Sequence, residues 1–336
     1  MVIDLVVAAE GVKHGNKDYV DRAQPLVKIT FLELFVNHHR LVAGGPLQQV
    51  VVIDDLHLQI KPAAILVFGK DVQAKAPAVV GGLKAVLGRE YLKHFKESGI
   101  DVSGVSVGKK SNGVAPCFIQ GNMNSIIIVQ GANSELTPDV LDDYRDIIKN
   151  SKLIVLQQEI SLETDYKAIE IAHEYGVSVM LNPAPANDDI DIKHVAMCEF
   201  YSPNETELGR LTKMPIETIE QIKAAAHKLV DLGVKNVIVT IGSRGALWVN
   251  KDHEELIPSY KVKAVDSIGA GDSFVGAFSH YYTQGEDIST ALKHANAYAA
   301  VTVTRPGSQT SYPTAAELPA LQKQLGIDVT DELVGA

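Results

Sequence analysis

Cysteine is nearly absent from this chain, and so is any surplus of basic residues. Only Cys117 and Cys198 occur among 336 residues, in no C-x-x-C or metal-like spacing, which excludes a disulfide scaffold and fits a reduced, cytoplasmic setting. Lys and Arg number 31 against 41 Asp and Glu, a formal charge of −10. That balance argues against nucleic acid as a partner, because phosphate backbones are bound by surplus positive charge. Long apolar runs are missing too. "SIIIV" at Ser125 to Val129 is far too short to span a bilayer, and "MVIDLVVAAEG" lacks the basic start and long apolar stretch of a signal peptide. The expectation is therefore a chain with no membrane partner that is not exported, so "NET" at Asn204 to Thr206 has no use as a glycosylation acceptor.

Several familiar motifs are also lacking. "GVSVGKKS" has the wrong spacing for G-x-x-x-x-G-K-[ST], and the glycines after Gly269 do not follow G-x-G-x-x-G. The 11 histidines contain no H-E-x-x-H, which leaves zinc chemistry without a motif.

What is present is ordinary globular composition, 46% hydrophobic and 21% charged, with apolar strands alternating with helices from residue 88 onward. "GREYLKHFKESGI" reads as an amphipathic helix stopped by Gly99, and "PDVLDDYRDIIKNS" as another begun by Pro138. "KLIVLQQE", "VSVMLNPAPA", "CEFYSPNETEL" and "NVIVTIGSRGALWV" supply strands, with helices in "LETDYKAIEIAHEYG" and "IETIEQIKAAAHKLVDLG". This alternation implies an α/β fold with a mostly parallel sheet covered on both faces and ligands at the carboxyl ends of its strands. Glu159, Asn182, Asn204, Glu207 and the stretch Thr240 to Gly245 fall at those ends. Residues 1–87 read differently. "QQVVVIDDLHLQI" and "AAILVFGKD" look like strands, "ITFLELFVNHH" fits helix or strand, and no familiar spacing emerges. The division is therefore an N-terminal region, 1–87, and an α/β core, 88–330.

"VDSIGAGDSFVGAF", Val265 to Phe278, places Gly269, Ala270 and Gly271 directly before Asp272 and an apolar helical stretch. Small residues at a helix N-terminus let successive N–H groups converge on an anion. A carboxylate beside such a hole repels an anion unless a cation intervenes or the Asp has a chemical task, such as taking a proton from an attacking hydroxyl. Bland readings stand beside the other motifs: "TIGSRG" as a glycine hairpin, "NETE" as a helix cap by Asn204, "NPAPA" as a rigid turn, Asp266 as a turn-capping residue.

In combination, "LQQE", "LNPAPA", "PNETE", "TIGSRG", "VDSIGAGDSFVGAF" and "AVTVTRPGSQTS" occur in an order and spacing that resembles the ribokinase branch of the PfkB-type sugar kinases. "GIDVSGV", "NSIIIVQGAN" and "LTPDVL" extend the likeness, which runs from Gly88 to Leu321. The resemblance implies a ribokinase-like three-layer sandwich with a small β lid from the N-terminal region, and a homodimer if that lid forms. It implies an ATP-dependent kinase for a small sugar, D-ribose first, giving the 5-phosphate. The alternatives are a kinase for another sugar or a nucleoside, or a silent nucleotide-binding protein with a defective sugar site.

Position by position, the resemblance makes Asp272 the base, in contact with the sugar, and the amides of Gly269, Ala270 and Gly271 the anion hole. Asn204, Thr240, Gly242, Ser243, Arg244, Gly245 and Asn296 match nucleotide positions, and Glu207 with Asn204 matches the element that organises Mg²⁺. Glu159 matches a carboxylate that binds the sugar, with Asp4 as the counterpart of a second sugar contact. Asp266, Ile268, Thr302, Arg305, Gly307 and Ser311 match a loop that holds K⁺, mainly through carbonyl oxygens. The sugar loop itself has no clear match; Gly44 and Gly45 offer glycines with no Lys behind them.

Overall fold

Short aliphatic runs from the middle of the chain line up as the centre of the main sheet. Its strands are β1 (Leu66–Gly69), β2 (Ala74–Lys75), β3 (Ser151–Gln157), β4 (Ser178–Asn182), β5 (Phe200–Tyr201), β6 (Asn236–Thr240), β7 (Ala246–Asn250) and β8 (Glu254–Ile257), in the order β8-β7-β6-β5-β4-β3-β1-β2. β3, β4, β5 and β6 run parallel, and antiparallel strands extend the sheet at both edges. The computed structural model describes residues 86–120, 123–126 and 128–329, with the backbone of short strands at 2–4, 28–30, 41–42, 52–53, 55–59, 66–69, 74–75 and 78–80; side chains are described for 88–115 and 128–329.

Alternation along the parallel strands sends successive side chains to opposite faces. Ile154, Leu156, Val179, Leu181, Val237 and Val239 enter one core with Ile169, Ile222 and Leu229. These last come from helices α2 (Leu162–Glu174) and α4 (Ile219–Asp231), between which lies α3 (Glu205–Thr212). Leu153, Val155, Met180, Phe200 and Ile238 enter a second core with Phe274, Phe278 and Leu292 from α5 (Ala270–Gln284) and α6 (Ile288–Thr302). Two cores on one sheet make the three layers. Each fully buried aliphatic or aromatic side chain contributes about 1.5–3 kcal/mol, and Phe200 adds edge-to-face contacts with Phe278 and Tyr282 at 5.1 and 4.8 Å.

The helices begin where local chemistry says they should. Ser161 accepts the Thr164 N–H to open α2, while Thr218 and Gln221 close a capping box on α4. The amphipathic helix α1 (Val86–Glu97) ends before Gly99, at φ +74°. One expectation is corrected: Pro138–Tyr144 is a 3₁₀ stretch, and only Arg145–Lys149 is α-helical. Asp142 is tied to Arg145 three residues on and to Lys167 of α2, a spacing that suits three residues per turn.

The chain forms two compact units, one of Met1–Leu58 with Ala115–Ile127 and one of Gln59–Val114 with Ile128–Ala336. In the first, Val2–Asp4 pairs antiparallel with Lys28–Thr30, Leu41–Val42 with Val52–Ile53, and Ala115–Gln120 lies between Asp55–Gln59 and Met123–Ile126. The reading of a lid, the Asp4 side chain and the Gly44–Gly45 pair lie outside the described residues. Among the described residues, no helix is long and apolar enough to cross a membrane.

Asp165, in the first turn of α2, is 1% exposed, and neither carboxylate oxygen has a hydrogen-bond partner. Burial holds its pKa well above 3.8, with the buried Cys198 thiol and Tyr166 among the groups near enough to feel its charge. The folded chain keeps this proton while the unfolded chain releases it near the ordinary value. The Asp165 contribution to stability is thus fully present below about 3.8 and declines as pH rises toward the folded pKa. Asp165→Asn has no proton to lose, so its melting temperature relative to wild type should rise by roughly 2–8 °C between about pH 4.5 and 7.5. Calorimetric scans at both pH values test this, and equal pH slopes in the two proteins would refute it.

Candidate active site

Parallel direction places the exits of β3, β4, β5 and β6 along one edge, where Glu159, Asn182, Asn204 and Thr240 follow or end the strands. Asn204 and Thr240 form a parallel bridge, with the Thr240 N–H donating to the Pro203 carbonyl at 3.0 Å. Asn182 donates from Nδ2 to the Ser202 carbonyl at 2.6 Å, tying the β4 and β5 exits together.

Asn204 caps α3 in a full capping box. The Glu207 N–H donates to Asn204 Oδ1 at 2.9 Å, and the Asn204 N–H donates to Glu207 Oε2 at 2.7 Å. The bland reading of "NETE" is therefore correct as far as it goes. It does not use Asn204 Nδ2, which belongs to an exposed residue beside Thr240. Gly242–Arg244 forms a single 3₁₀ turn between β6 and β7, with Gly242, Ser243 and Arg244 exposed, and Arg244 Nη2 donates to Glu205 Oε2 at 2.9 Å. Gly245 is buried, and a Cβ there would collide with the backbone of Ile257, Pro258 and Ser259. Asn296 is 4% exposed, and its Nδ2 donates to the carbonyls of Ile257 and Pro258 at 3.0 and 3.3 Å. Its amide nitrogen thus braces the segment packed against Gly245.

The turn before α5 is held from both sides. Asp266 accepts the Ile268 N–H on Oδ1 at 2.9 Å and the Gly307 N–H on Oδ2 at 3.0 Å, and the N–H groups of Val265 and Asp266 both donate to the Val303 carbonyl. The turn-capping reading of Asp266 describes its carboxylate. Thr302 and Ser311 are buried: the Arg305 N–H donates to the Thr302 carbonyl at 3.1 Å and the Ser311 hydroxyl to the Ser308 carbonyl at 2.5 Å.

Gly269 is the N-cap of α5, at φ +79°, a conformation that side chains rarely adopt. The Ala270 N–H donates back to Ser267, and the first helical bond runs from the Ser273 N–H to the Gly269 carbonyl at 2.9 Å. The N–H groups of Gly271 and Asp272 precede that bond at the positive end of the helix. Gly271 and Asp272 are exposed, and a Cβ on Gly271 would meet no atom within 4 Å. No positive φ requires glycine at 271, and the space a Cβ would take there is open.

Tyr312 was not singled out from the sequence, yet its hydroxyl reaches the Gly269 carbonyl at 3.2 Å. The aromatic residue directly after the "GSQTS" segment is the only sequence signal for it. A cleft of about 640 Å³ lined by Ile128, Gln130, Gln158, Pro185, Asn187 and Arg210 lies at the β3 and β4 exits. It includes none of the α5 turn residues, so volume and charge chemistry sit apart; the amides and carboxylate mark the better site for chemistry.

Comparison with known proteins matches residues 44–315 to the pfkB family carbohydrate kinase model, a start well ahead of Gly88. A deoxyribokinase of Salmonella typhimurium is 47% identical over 225 residues, covering 66% of this chain and 74% of that protein. The ribokinase of Schizosaccharomyces pombe is 36% identical over 239 residues, covering 69% and 74%. Among solved structures, Arabidopsis thaliana ribokinase complexed with ribose and ATP is 32% identical with a TM-score of 0.67, covering 73% of this chain and 81% of that one. Thermotoga maritima ribokinase is also 32% identical, with a TM-score of 0.65 and coverage of 73% and 80%.

Proposed function

This chain belongs to the pfkB family of carbohydrate kinases, phosphotransferases with an alcohol acceptor, and from that premise we propose that it transfers the terminal phosphoryl group of ATP to the primary hydroxyl of a pentose. The observation that carries the reading is the α5 N-terminus: an exposed carboxylate, Asp272, one residue after an amide at which a side chain would meet open space. Asp272 takes the proton of the 5-hydroxyl as that oxygen bonds the γ-phosphorus. The bond to the β-phosphate oxygen breaks, ADP leaves, and the proton passes from Asp272 to solvent. The Gly269–Gly271 turn, through the Gly271 and Asp272 N–H groups at the helix start, would receive the charge of the transferring group.

Asn204, Thr240 and the Gly242–Gly245 turn face the nucleotide in this reading, with Asn296 bracing the turn and Glu159 binding the sugar. Glu207 presents a half-buried carboxylate oriented by the Asn204 N–H, a hard oxygen donor of the kind Mg²⁺ takes. Mg²⁺ would neutralise phosphate charge. Because the Asp266 carboxylate is committed to two N–H groups, K⁺ would rest on the main-chain oxygens of Asp266, Ile268, Thr302, Arg305 and Gly307 and on Ser311.

D-Ribose is the acceptor the motifs imply. A second reading, 2-deoxy-D-ribose, is favoured by the 47% identity to a deoxyribokinase against 36% to a ribokinase. Coupled ADP release over ribose, 2-deoxyribose, hexoses and nucleosides, in K⁺ and in Na⁺, tests the proposal. Turnover is expected with the two pentoses and faster in K⁺. ADP release at the sugar-free background throughout would make the chain a silent nucleotide-binding protein and defeat the proposal.

A further inference from the structure

The anion turn rests on a residue 43 positions downstream. Tyr312 donates its hydroxyl to the Gly269 carbonyl at 3.2 Å, the same oxygen that accepts the first helical N–H, from Ser273. Packing supports the contact: a Cβ placed on Gly269 would lie 2.7 Å from Tyr312 Oη and 3.1 Å from Ser308 Oγ. The Gly269 carbonyl and the Ala270 N–H belong to one planar peptide unit. A bond that holds this carbonyl also sets the plane from which α5 starts, and with it the aim of the Gly271 and Asp272 N–H groups and the Asp272 side chain. At the far end of the same turn, Asp266 clasps Gly307. The segment 303–312 therefore grips the turn at Asp266 and at Gly269.

We infer that Tyr312 is a positioning residue for phosphoryl transfer, fixing the anion turn through the Gly269 carbonyl without touching substrate. The inference rests on the kinase reading above. Burial, helped by the nearby Asp272 charge, pushes the phenol pKa up, so the hydroxyl stays a donor throughout the working pH range. Catalysis by preorganised dipoles is sensitive to small changes of aim, whereas nucleotide binding spread over Asn204, Thr240 and Gly242–Gly245 is not.

Tyr312→Phe removes the one oxygen and leaves the ring in place. Its kcat should fall about threefold to tenfold, the worth of one neutral hydrogen bond, with KM for ATP and for the sugar within about twofold. Affinity for ADP with Mg²⁺ and aluminium fluoride, a mimic of the transferring phosphoryl group, should fall by the same factor. Affinity for ADP alone should not move, and the melting temperature should fall by no more than about 2–4 °C, the cost of a hydrogen bond lost from the folded state. A merely structural tyrosine would lower stability and ADP affinity together, and that result overturns the inference. An active wild type matched in kcat by Tyr312→Phe overturns it alone, while a wild type with no sugar-dependent turnover overturns the kinase reading beneath it as well.

Discussion

Asp272→Asn should lower kcat by roughly 10²- to 10⁴-fold, the usual worth of a general base, while binding of a nonhydrolysable ATP analogue stays nearly unchanged. Asp272 stands in the first turn of α5, exposed, where an Asn of the same shape fits without repacking. The lost charge at a helix N-terminus costs only about 0.3–1 kcal/mol of stability, so the variant should fold. In the proposed reading the carboxylate makes no contact that holds the triphosphate, so ground-state binding depends on it little. The loss therefore belongs to the transition state. Steady-state kinetics with calorimetry of the analogue separates the two, and a variant retaining more than about a tenth of wild-type turnover assigns the base elsewhere.

Gly271→Ala should lose activity without losing stability. Residue 271 has no positive φ, and a Cβ there meets no protein atom, so the methyl group strains nothing and removes backbone freedom from the unfolded chain. Melting temperature should hold or rise slightly. Because a helical Cβ tilts toward the N-terminus, the same methyl group would enter the space that the proposed anion needs within about 3 Å of the N–H groups, and kcat/KM should drop at least about tenfold. Gly269→Ala is the contrasting variant. At φ +79°, with Tyr312 Oη 2.7 Å from the new carbon, it should lose stability by about 1–2 kcal/mol or more. Thermal melts and kinetics on both variants decide the matter. Unaltered turnover in Gly271→Ala would remove the anion from that space.

Much of this arrangement was readable from short stretches of chain. The apolar runs of β3, β4 and β6 and the cap at Asn204 depend on neighbours within a few residues, which is why periodicity and capping rules found them. The one misread helix, at Pro138–Tyr144, is a place where a distant partner, Lys167 on α2, joins in holding Asp142. Asn296 carried a family match to a nucleotide position, but its commitment to the Ile257 and Pro258 carbonyls needs α6 packed against the end of β8. For Asn204 the cap reading holds, since Oδ1 accepts the Glu207 N–H, while Nδ2 lies outside the cap.

By itself the sequence determined the α/β class, the order of strands and helices along the core, the family, and the glycine-rich turn that delivers Asp272 to a helix start. All of these are written in patterns of a few residues or in motifs read in order. Only the tertiary structure decided that antiparallel strands flank the parallel centre, that Asp165 is buried without a hydrogen-bond partner, and that Tyr312 and Gly307, some 40 residues away in the chain, hold the turn before α5 at Gly269 and Asp266. Such contacts form when whole layers pack and bring distant backbone groups within hydrogen-bond range, and no local spacing in the chain encodes that closeness.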